Sequence, residues 1–270
     1  MFKRLCIAAL VVLCVGYAVS IAYFLYETDL AQRCENGDFE ACGGLIPRLM
    51  HACENGDSEA CKELIPHLQE ACDMNEANGC YNLGVSYVEG QGVQQSYKEA
   101  AQYFQKACAM NYANGCYNLG VSYEHGKGFR INYKKANEYY QKACDLNLAA
   151  ACSNLGILYE KGQGVRVSYK KSIEYYQKAC DLKEAVGCHN LGALYAEDGA
   201  QKNYHRAKEY FQKACDMKLS TACFNLGNFY MLGHGVRQDF AAAKEYFGKA
   251  CDLGEQEGCD RYRELRERGF

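Results

Sequence analysis

The 270-residue sequence has no tryptophan, only two prolines and no large excess of charge of one sign. Its 30 basic and 33 acidic residues give a formal net charge of −3, which excludes the global basic field that recruits nucleic acid. The low net charge and the 23 tyrosines argue against intrinsic disorder, because disordered chains have high net charge and few aromatic residues. What the sequence has in excess is cysteine, with 18 residues.

The N-terminal residues have the pattern of an export signal. Lys3 and Arg4 precede an uncharged stretch that runs from Leu5 to Tyr26, and a positive region followed by an apolar one is typical of a secretory signal. The small residues that end at Ser20 predict a signal peptide over residues 1–20. The alternative is an uncleaved anchor that extends to Tyr26, since about 22 uncharged residues can just span a bilayer. Both alternatives predict a secreted or periplasmic protein that contacts membrane only through an uncleaved N-terminus.

Sixteen of the cysteines fall into pairs eight residues apart. One local pairing repeated eight times is the simplest connectivity, and it predicts eight structural disulfides that each close a loop worth about 2.5 kcal/mol. No metal or cofactor site is expected, because no CxxC motif or Cys/His cluster has zinc-ligand spacing. The pairs are Cys34/Cys42, Cys53/Cys61, Cys72/Cys80, Cys108/Cys116, Cys144/Cys152, Cys180/Cys188, Cys215/Cys223 and Cys251/Cys259.

The first cysteines of these pairs also define a repeat. From Cys72 onward they are spaced 36, 36, 36, 35 and 36 residues apart, and a fixed period of this size marks a solenoid. We expect five repeats over residues 71–250. Two shorter units of 19 residues over 27–70 precede them, each expected to form one short helix. A polar segment over 251–270 follows and is expected to cap the solenoid.

Each repeat has the pattern of two helices, here called helix A and helix B, joined by a glycine-rich turn. Leu83 and Tyr87 lie on one face of helix A, and the recurring glycine between them, Gly84, predicts a close helix crossing that a Cβ atom would obstruct. Paired aromatic residues in helix B are predicted to be core. Helix B is predicted to begin after capping residues, which are Ser96, Asn132, Ser168, Asn203 and Asp239. Each disulfide should then join the end of one helix B to the start of the next helix A.

The pattern N-L-G-x-x-Y, G-x-G-V, K-A-x-x-Y-F/Y-x-K-A resembles Sel1-like repeats, which are relatives of tetratricopeptide repeats. Cysteines eight apart within a 36-residue repeat are similar to those of the Helicobacter cysteine-rich protein family. The resemblance covers about Cys72–Cys259, and the 19-residue units depart from it. It implies an all-α fold, an αα-hairpin solenoid wound as a right-handed superhelix and stapled by disulfides. It also implies penicillin-like ligands, weak β-lactamase activity and roles in host interaction.

The residues themselves supply no catalytic motif for that activity, so the catalytic residues are unknown. A serine β-lactamase uses S-x-x-K with S-D-N and K-T-G elements, and only the first is present, from Ser168 to Lys171. Ser168 occupies the capping position of helix B, so capping is favoured over a nucleophile role. The six histidines are scattered, without the pattern of a zinc enzyme.

A recurring asparagine gives a better basis for binding. Its amide matches the donor and acceptor of a peptide backbone, so a row of such residues predicts a site for an extended peptide or protein on the concave face. The alternative is that each asparagine serves a local turn or a neighbouring backbone group. The sequence thus predicts an exported binding scaffold; a β-lactam hydrolase with an unrecognised groove site is the alternative. The asparagines are Asn82, Asn118, Asn154, Asn190 and Asn225.

Overall fold

The computed structural model describes residues 39–197 and 202–270, with side chains from residue 44 onward. The predicted export signal lies outside the described residues. In these ranges the chain forms thirteen helices and no strand, which confirms the all-α prediction. None of the described helices is long and apolar enough to cross a membrane.

The helices follow one another in short, regular steps along the chain. They are α1 (Phe39–Glu54), α2 (Ser58–Asp73), α3 (Ala77–Glu89), α4 (Tyr97–Ala109), α5 (Ala113–His125), α6 (Tyr133–Asp145), α7 (Ala149–Lys161), α8 (Tyr169–Asp181), α9 (Ala185–Ala196), α10 (Tyr204–Asp216), α11 (Ser220–Leu232), α12 (Phe240–Asp252) and α13 (Gln256–Glu267). The described residues divide into two compact units, a first one that ends at Tyr103 and a second one that begins at Phe104.

In the first unit, α1 and α2 are the helices of the two 19-residue segments. One helix per segment was expected, but the expectation of short helices is wrong, since each has 16 residues against 13 for most helices of the repeats. The leucine pair Leu45 and Leu49 and the pair Leu64 and Leu68 are each four residues apart, and all four side chains are buried in one cluster. The apolar stripe continues because no glycine turn interrupts it.

In the second unit, successive helical hairpins stack on one another, as predicted for a solenoid. The helices A α7, α9 and α11 each pack against the helices B before and after them, and α7 also packs against α9. The predicted caps of helix B are confirmed by their hydrogen bonds: Asn132 Oδ1 accepts from Lys135 N at 3.0 Å, and Asp239 Oδ1 accepts from Ala242 N at 3.0 Å. These bonds satisfy backbone N–H groups that have no partner within the helix.

The predicted close crossing between helix A and helix B is also confirmed. A Cβ atom added at Gly120 would lie 2.6 Å from the ring of Tyr140, so the glycine lets the aromatic ring lie directly against helix A. The second aromatic residue of helix B, such as Tyr140, is buried as core. The first is only half-buried, so the prediction that both are core is wrong for it. It stacks on a helix A tyrosine, as Tyr175 does on Tyr159 with ring centroids 5.5 Å apart.

Seven of the eight predicted disulfides lie within the described residues, and all seven form as predicted. Each joins two successive helices at their shared corner, with Cα atoms 4.4 to 4.8 Å apart. So many structural disulfides are typical of an oxidising, exported environment. The bridges are Cys53–Cys61, Cys72–Cys80, Cys108–Cys116, Cys144–Cys152, Cys180–Cys188, Cys215–Cys223 and Cys251–Cys259.

The eighth predicted disulfide, between Cys34 and Cys42, lies outside the described side chains. The backbone of Cys42 lies near the start of α1. The side chain of Cys42 and the whole of Cys34 lie outside the described residues. A bridge at Cys42 therefore stays a prediction from the eight-residue spacing.

Candidate functional site

Four of the five predicted binding residues lie at equivalent positions of the helices A in the second unit. We call them the asparagine row: Asn118, Asn154, Asn190 and Asn225. Each side chain is half-buried and lies between a buried cysteine and a buried leucine of its own helix. The fifth, Asn82, is half-buried in the first unit, with its Nδ2 atom 3.7 Å from Met50 Sδ.

Three members of the row contact neighbouring side chains. Asn154 lies near the hydroxyl of Tyr140 and lowers its pKa, against the larger effect of burial. The ring of His189 lies between the other two, with Nε2 3.0 Å from Asn225 Nδ2 and Nδ1 3.4 Å from Asn190 Oδ1. Desolvation lowers the pKa of His189, so the imidazole is neutral and can accept one of these hydrogen bonds. These contacts favour a local role, whereas the shared half-buried face favours a binding role.

Two buried tyrosine–glutamate pairs lie beside the row. The hydroxyl of Tyr140 donates to Glu124 Oε2 at 2.5 Å, and that of Tyr176 donates to Glu160 Oε2 at 2.7 Å. Burial, and after it the hydrogen bond to the carboxylate, raises the pKa of both phenols, so they stay protonated hydrogen-bond donors. Neither tyrosine is therefore available as a tyrosinate base or nucleophile.

Sequence reasoning missed these pairs, although the repeats carry a signal for them. Where helix B has tyrosine at this position, helix A has glutamate one residue after its recurring tyrosine. Where helix B has phenylalanine, as at Phe211 and Phe247, the corresponding helix A residue is apolar, as at Ala196 and Met231. Because the helix B position and the helix A position are both polar or both apolar in each repeat, the sequence indicates that the two side chains contact each other.

One member of the row, Asn190, opens into a pocket of about 240 Å³ between the surfaces of α7, α8 and α9. Ile157, Ala193 and Leu194 form its apolar wall, and the ring of Tyr176 contributes as well. Its polar lining consists of Asn190, Glu160, Lys161 and Glu197. The pocket therefore combines a fixed amide and carboxylates with apolar surface, as expected of a site for a side chain.

The S-x-x-K segment has a structural role. Ser168 Oγ accepts from Lys171 N at 3.4 Å, which is the predicted capping contact. The Lys171 ammonium instead lies 3.3 Å from the hydroxyl of Tyr159 and 4.8 Å from its ring centroid. The lysine therefore does not activate the serine. Among the described residues, no group of three or more His, Cys, Asp or Glu side chains has the geometry of a metal site.

The Sel1 repeat model matches five consecutive segments, over residues 77–112, 113–148, 149–184, 185–219 and 220–255. A protective antigen of uropathogenic Escherichia coli with an SLR fold superposes with a TM-score of 0.72 at 23% identity, over 83% of this chain and 52% of that one. A Sel1 repeat protein of Oxalobacter formigenes gives a TM-score of 0.69 at 23% identity, over 79% of this chain and 84% of that one. This chain thus spans about half the length of the Escherichia coli antigen.

Cysteine rich protein B of Helicobacter pylori is 35% identical, with a TM-score of 0.41, over 49% of this chain and 95% of that one. No curated protein matches the chain by sequence. The first two structures agree with the fold described above.

Proposed function

We propose that this chain, which belongs to the Sel1 repeat family, is an exported scaffold that binds an extended peptide or protein segment along the asparagine row. The observation that carries the proposal is the row itself: an amide at the same half-buried position in four successive helices A, one of them lining the 240 Å³ pocket. Solenoids typically bind along such repeated surfaces.

The chemistry of the row suits a peptide main chain. An asparagine amide carries both a donor and an acceptor, which can pair with a backbone C=O and N–H of an extended segment. The contacts of His189 with Asn190 and Asn225 hold these amides in place before a ligand arrives, which lowers the entropic cost of binding. A ligand side chain then enters the pocket against Ile157 and Leu194.

Single alanine substitutions in the full-length chain test the proposal. A peptide selected by display against the wild-type protein serves as the probe. Asn154→Ala and Asn190→Ala should each weaken its binding about 5- to 30-fold, because each removes one or two hydrogen bonds of about 1 kcal/mol. Asn132→Asp is the matched control: it keeps the cap of α6, as Asp239 does in α12, and it lies outside the row.

Circular dichroism of each variant separates the two roles of the row. Weakened binding with an unchanged spectrum supports the binding role. Unchanged binding by folded variants contradicts the proposal, and unfolding of the variants identifies the asparagines as structural residues.

Penicillin binding and weak β-lactam hydrolysis, which the family resemblance implies, stay predictions. The contacts of Ser168 and Lys171 do not favour a serine nucleophile there. Nitrocefin hydrolysis that is saturable, and that stays with the protein through a further purification step, would support this function. Activity that separates from the protein in that step belongs to a contaminant.

A further inference from the structure

Two neighbouring turns of the second unit carry an unusual concentration of basic residues. Residues 127–135 and 161–171, which we call the loop edge, contain eight lysines and arginines and no acidic residue, in a chain whose net charge is −3. Arg130, Lys134, Arg166 and Lys170 are exposed, and none of them has an ion-pair partner among the described residues. Acidic residues return only a turn later, at exposed positions of α6 and α8.

The loop edge also exposes large apolar side chains between these cations. Ile131 is 58% exposed, Val167 is 55% exposed and Tyr169 is 50% exposed. They are among the most exposed large hydrophobic residues of the described chain. Aliphatic side chains flanked by exposed basic residues are typical of surfaces that bind lipid headgroups.

Two other repeats have glutamine at the position of Ile131 and Val167. Gln95 and Gln238 are equivalent to Ile131 and Val167, and each donates its amide to a free carbonyl near the end of helix A, Gln95 to Val88 O at 2.7 Å and Gln238 to Met231 O at 2.8 Å. Ile131 and Val167 cannot make this hydrogen bond. The repeats 113–148 and 149–184 thus lose a capping contact, and although Ile131 and Val167 lie against the turn glycines Gly126 and Gly162, more than half of each side chain stays exposed.

The two turns form one continuous surface. Gly164 packs directly on the backbone of Tyr133 and Lys134, so closely that a Cβ atom would overlap it. The turn that carries Arg166 and Val167 therefore rests on the start of α6, beside the turn that carries Ile131. The apolar and basic side chains of both repeats are presented together.

We infer that the loop edge binds an anionic phospholipid surface. Ile131 and Val167 enter the headgroup region, Tyr169 lies at the interface, and the arginines and lysines pair with lipid phosphates. Exposed aliphatic side chains among exposed cations fit the combined apolar and anionic character of a lipid surface, whereas an acidic protein partner would use the cations alone. This contact is additional to any uncleaved N-terminus and does not depend on the proposed peptide site.

Because the chain has no tryptophan, single tryptophans report insertion without background. Ile131→Trp and Val167→Trp are compared with Gln238→Trp, which occupies the same position in a repeat where alanines replace the lysines, at Ala241 and Ala242. Each full-length variant is mixed with vesicles of brominated phosphatidylcholine, with or without phosphatidylglycerol. Because all three variants share one N-terminus, tethering there affects them equally.

We expect quenching and a blue shift at positions 131 and 167 with phosphatidylglycerol vesicles, much weaker signals at position 238, and loss of both signals in 1 M salt. Neutralising four cations in the Ile131→Trp background should weaken vesicle binding by about 100-fold or more. That variant carries R130Q, K134A, R166Q and K170A. Glutamine and alanine already occur at the equivalent positions of other repeats, as Gln94 and Ala241.

Equal quenching at all three positions, or quenching that does not need phosphatidylglycerol, overturns the inference. So does a blue shift produced by polyglutamate but not by vesicles, because that result assigns the loop edge to an acidic protein partner.

Discussion

Replacing Tyr176 by phenylalanine removes one hydroxyl group, and the chain itself shows that phenylalanine fits the position. Phe211 and Phe247 occupy the same place in the next two repeats, and both are buried. The hydroxyl of Tyr176 donates to Glu160 Oε2 at 2.7 Å from a ring that is 1% exposed. The substitution therefore keeps the packing and removes the donor of Glu160.

The magnitude follows from the burial of the two partners. A hydrogen bond to a charged group contributes about 1.5 to 3 kcal/mol, and Glu160 is half-buried, so water recovers part of the loss. We expect Tyr176→Phe to reduce the free energy of unfolding by about 1.5 kcal/mol. Glu160→Ala leaves a buried phenol without its acceptor and should cost about 2 kcal/mol.

The double variant should be close to the wild type. Phenylalanine beside alanine is the arrangement of Phe211 and Ala196 in the following repeat. If the double variant loses only about 0.5 to 1 kcal/mol, the coupling energy between Tyr176 and Glu160 is about 2.5 to 3 kcal/mol, at the upper end for residues in direct contact.

The assay is hydrogen exchange of the α7 and α8 amides in the oxidised protein, with urea unfolding followed by far-UV circular dichroism. Local exchange is needed because repeat proteins can unfold in parts. Phe211→Tyr is the converse control: it places a hydroxyl beside Ala196 and should destabilise, and adding Ala196→Glu should restore the loss. Additive effects of Tyr176→Phe and Glu160→Ala would refute the reasoning.

Three further predictions concern stability. Because burial raises the folded pKa of Tyr140 and Tyr176, their stabilisation is fully present below pH 10 and is lost as the pH rises from there toward the raised folded pKa. Above pH 10 the free energy of unfolding should therefore fall less steeply in the variant with phenylalanine at both positions than in the wild type, by about 2.7 kcal/mol per pH unit. Equal slopes in the two proteins would contradict this. Replacing Cys144 and Cys152 by alanine should cost about 2.5 kcal/mol in urea unfolding, whereas no loss contradicts a stabilising bridge. Lys183 has a positive φ of 67°, where three other repeats have asparagine, so Lys183→Asn should raise the free energy of unfolding in urea by about 0.5 kcal/mol, and a decrease contradicts this.

Features set by local spacing could be predicted from the sequence. The disulfide Cys144–Cys152 and the cap at Asn132 depend on residues only a few positions apart. The crossing at Gly120 could also be predicted, because only a missing Cβ explains a glycine that recurs within a helix. In a solenoid such local rules determine most of the fold, since each repeat packs only on its neighbours.

Contacts that join different repeats were harder to predict. The partners of Asn190 and Asn225 depend on His189, which occurs in one repeat alone at its position. The length of α1 depends on a leucine stripe whose burial against α2 no local motif encodes. The periodic pattern predicts the features that all repeats share. The contacts of His189 and of the α1 leucines involve residues that occur in one segment of the chain only, so the pattern does not predict them.

The largest of these differences fall in the same two repeats, 113–148 and 149–184. Both carry a buried tyrosine–glutamate pair where other repeats have apolar contacts, and both replace a capping glutamine by an exposed aliphatic residue. The second exchange costs a hydrogen bond, and Gln95 and Gln238 show that a residue that makes this bond fits the same backbone. Because stacked repeats can diverge on their surfaces while they keep the crossing glycine and the disulfide, the exposed Ile131 and Val167 favour a role in binding over a role in stability.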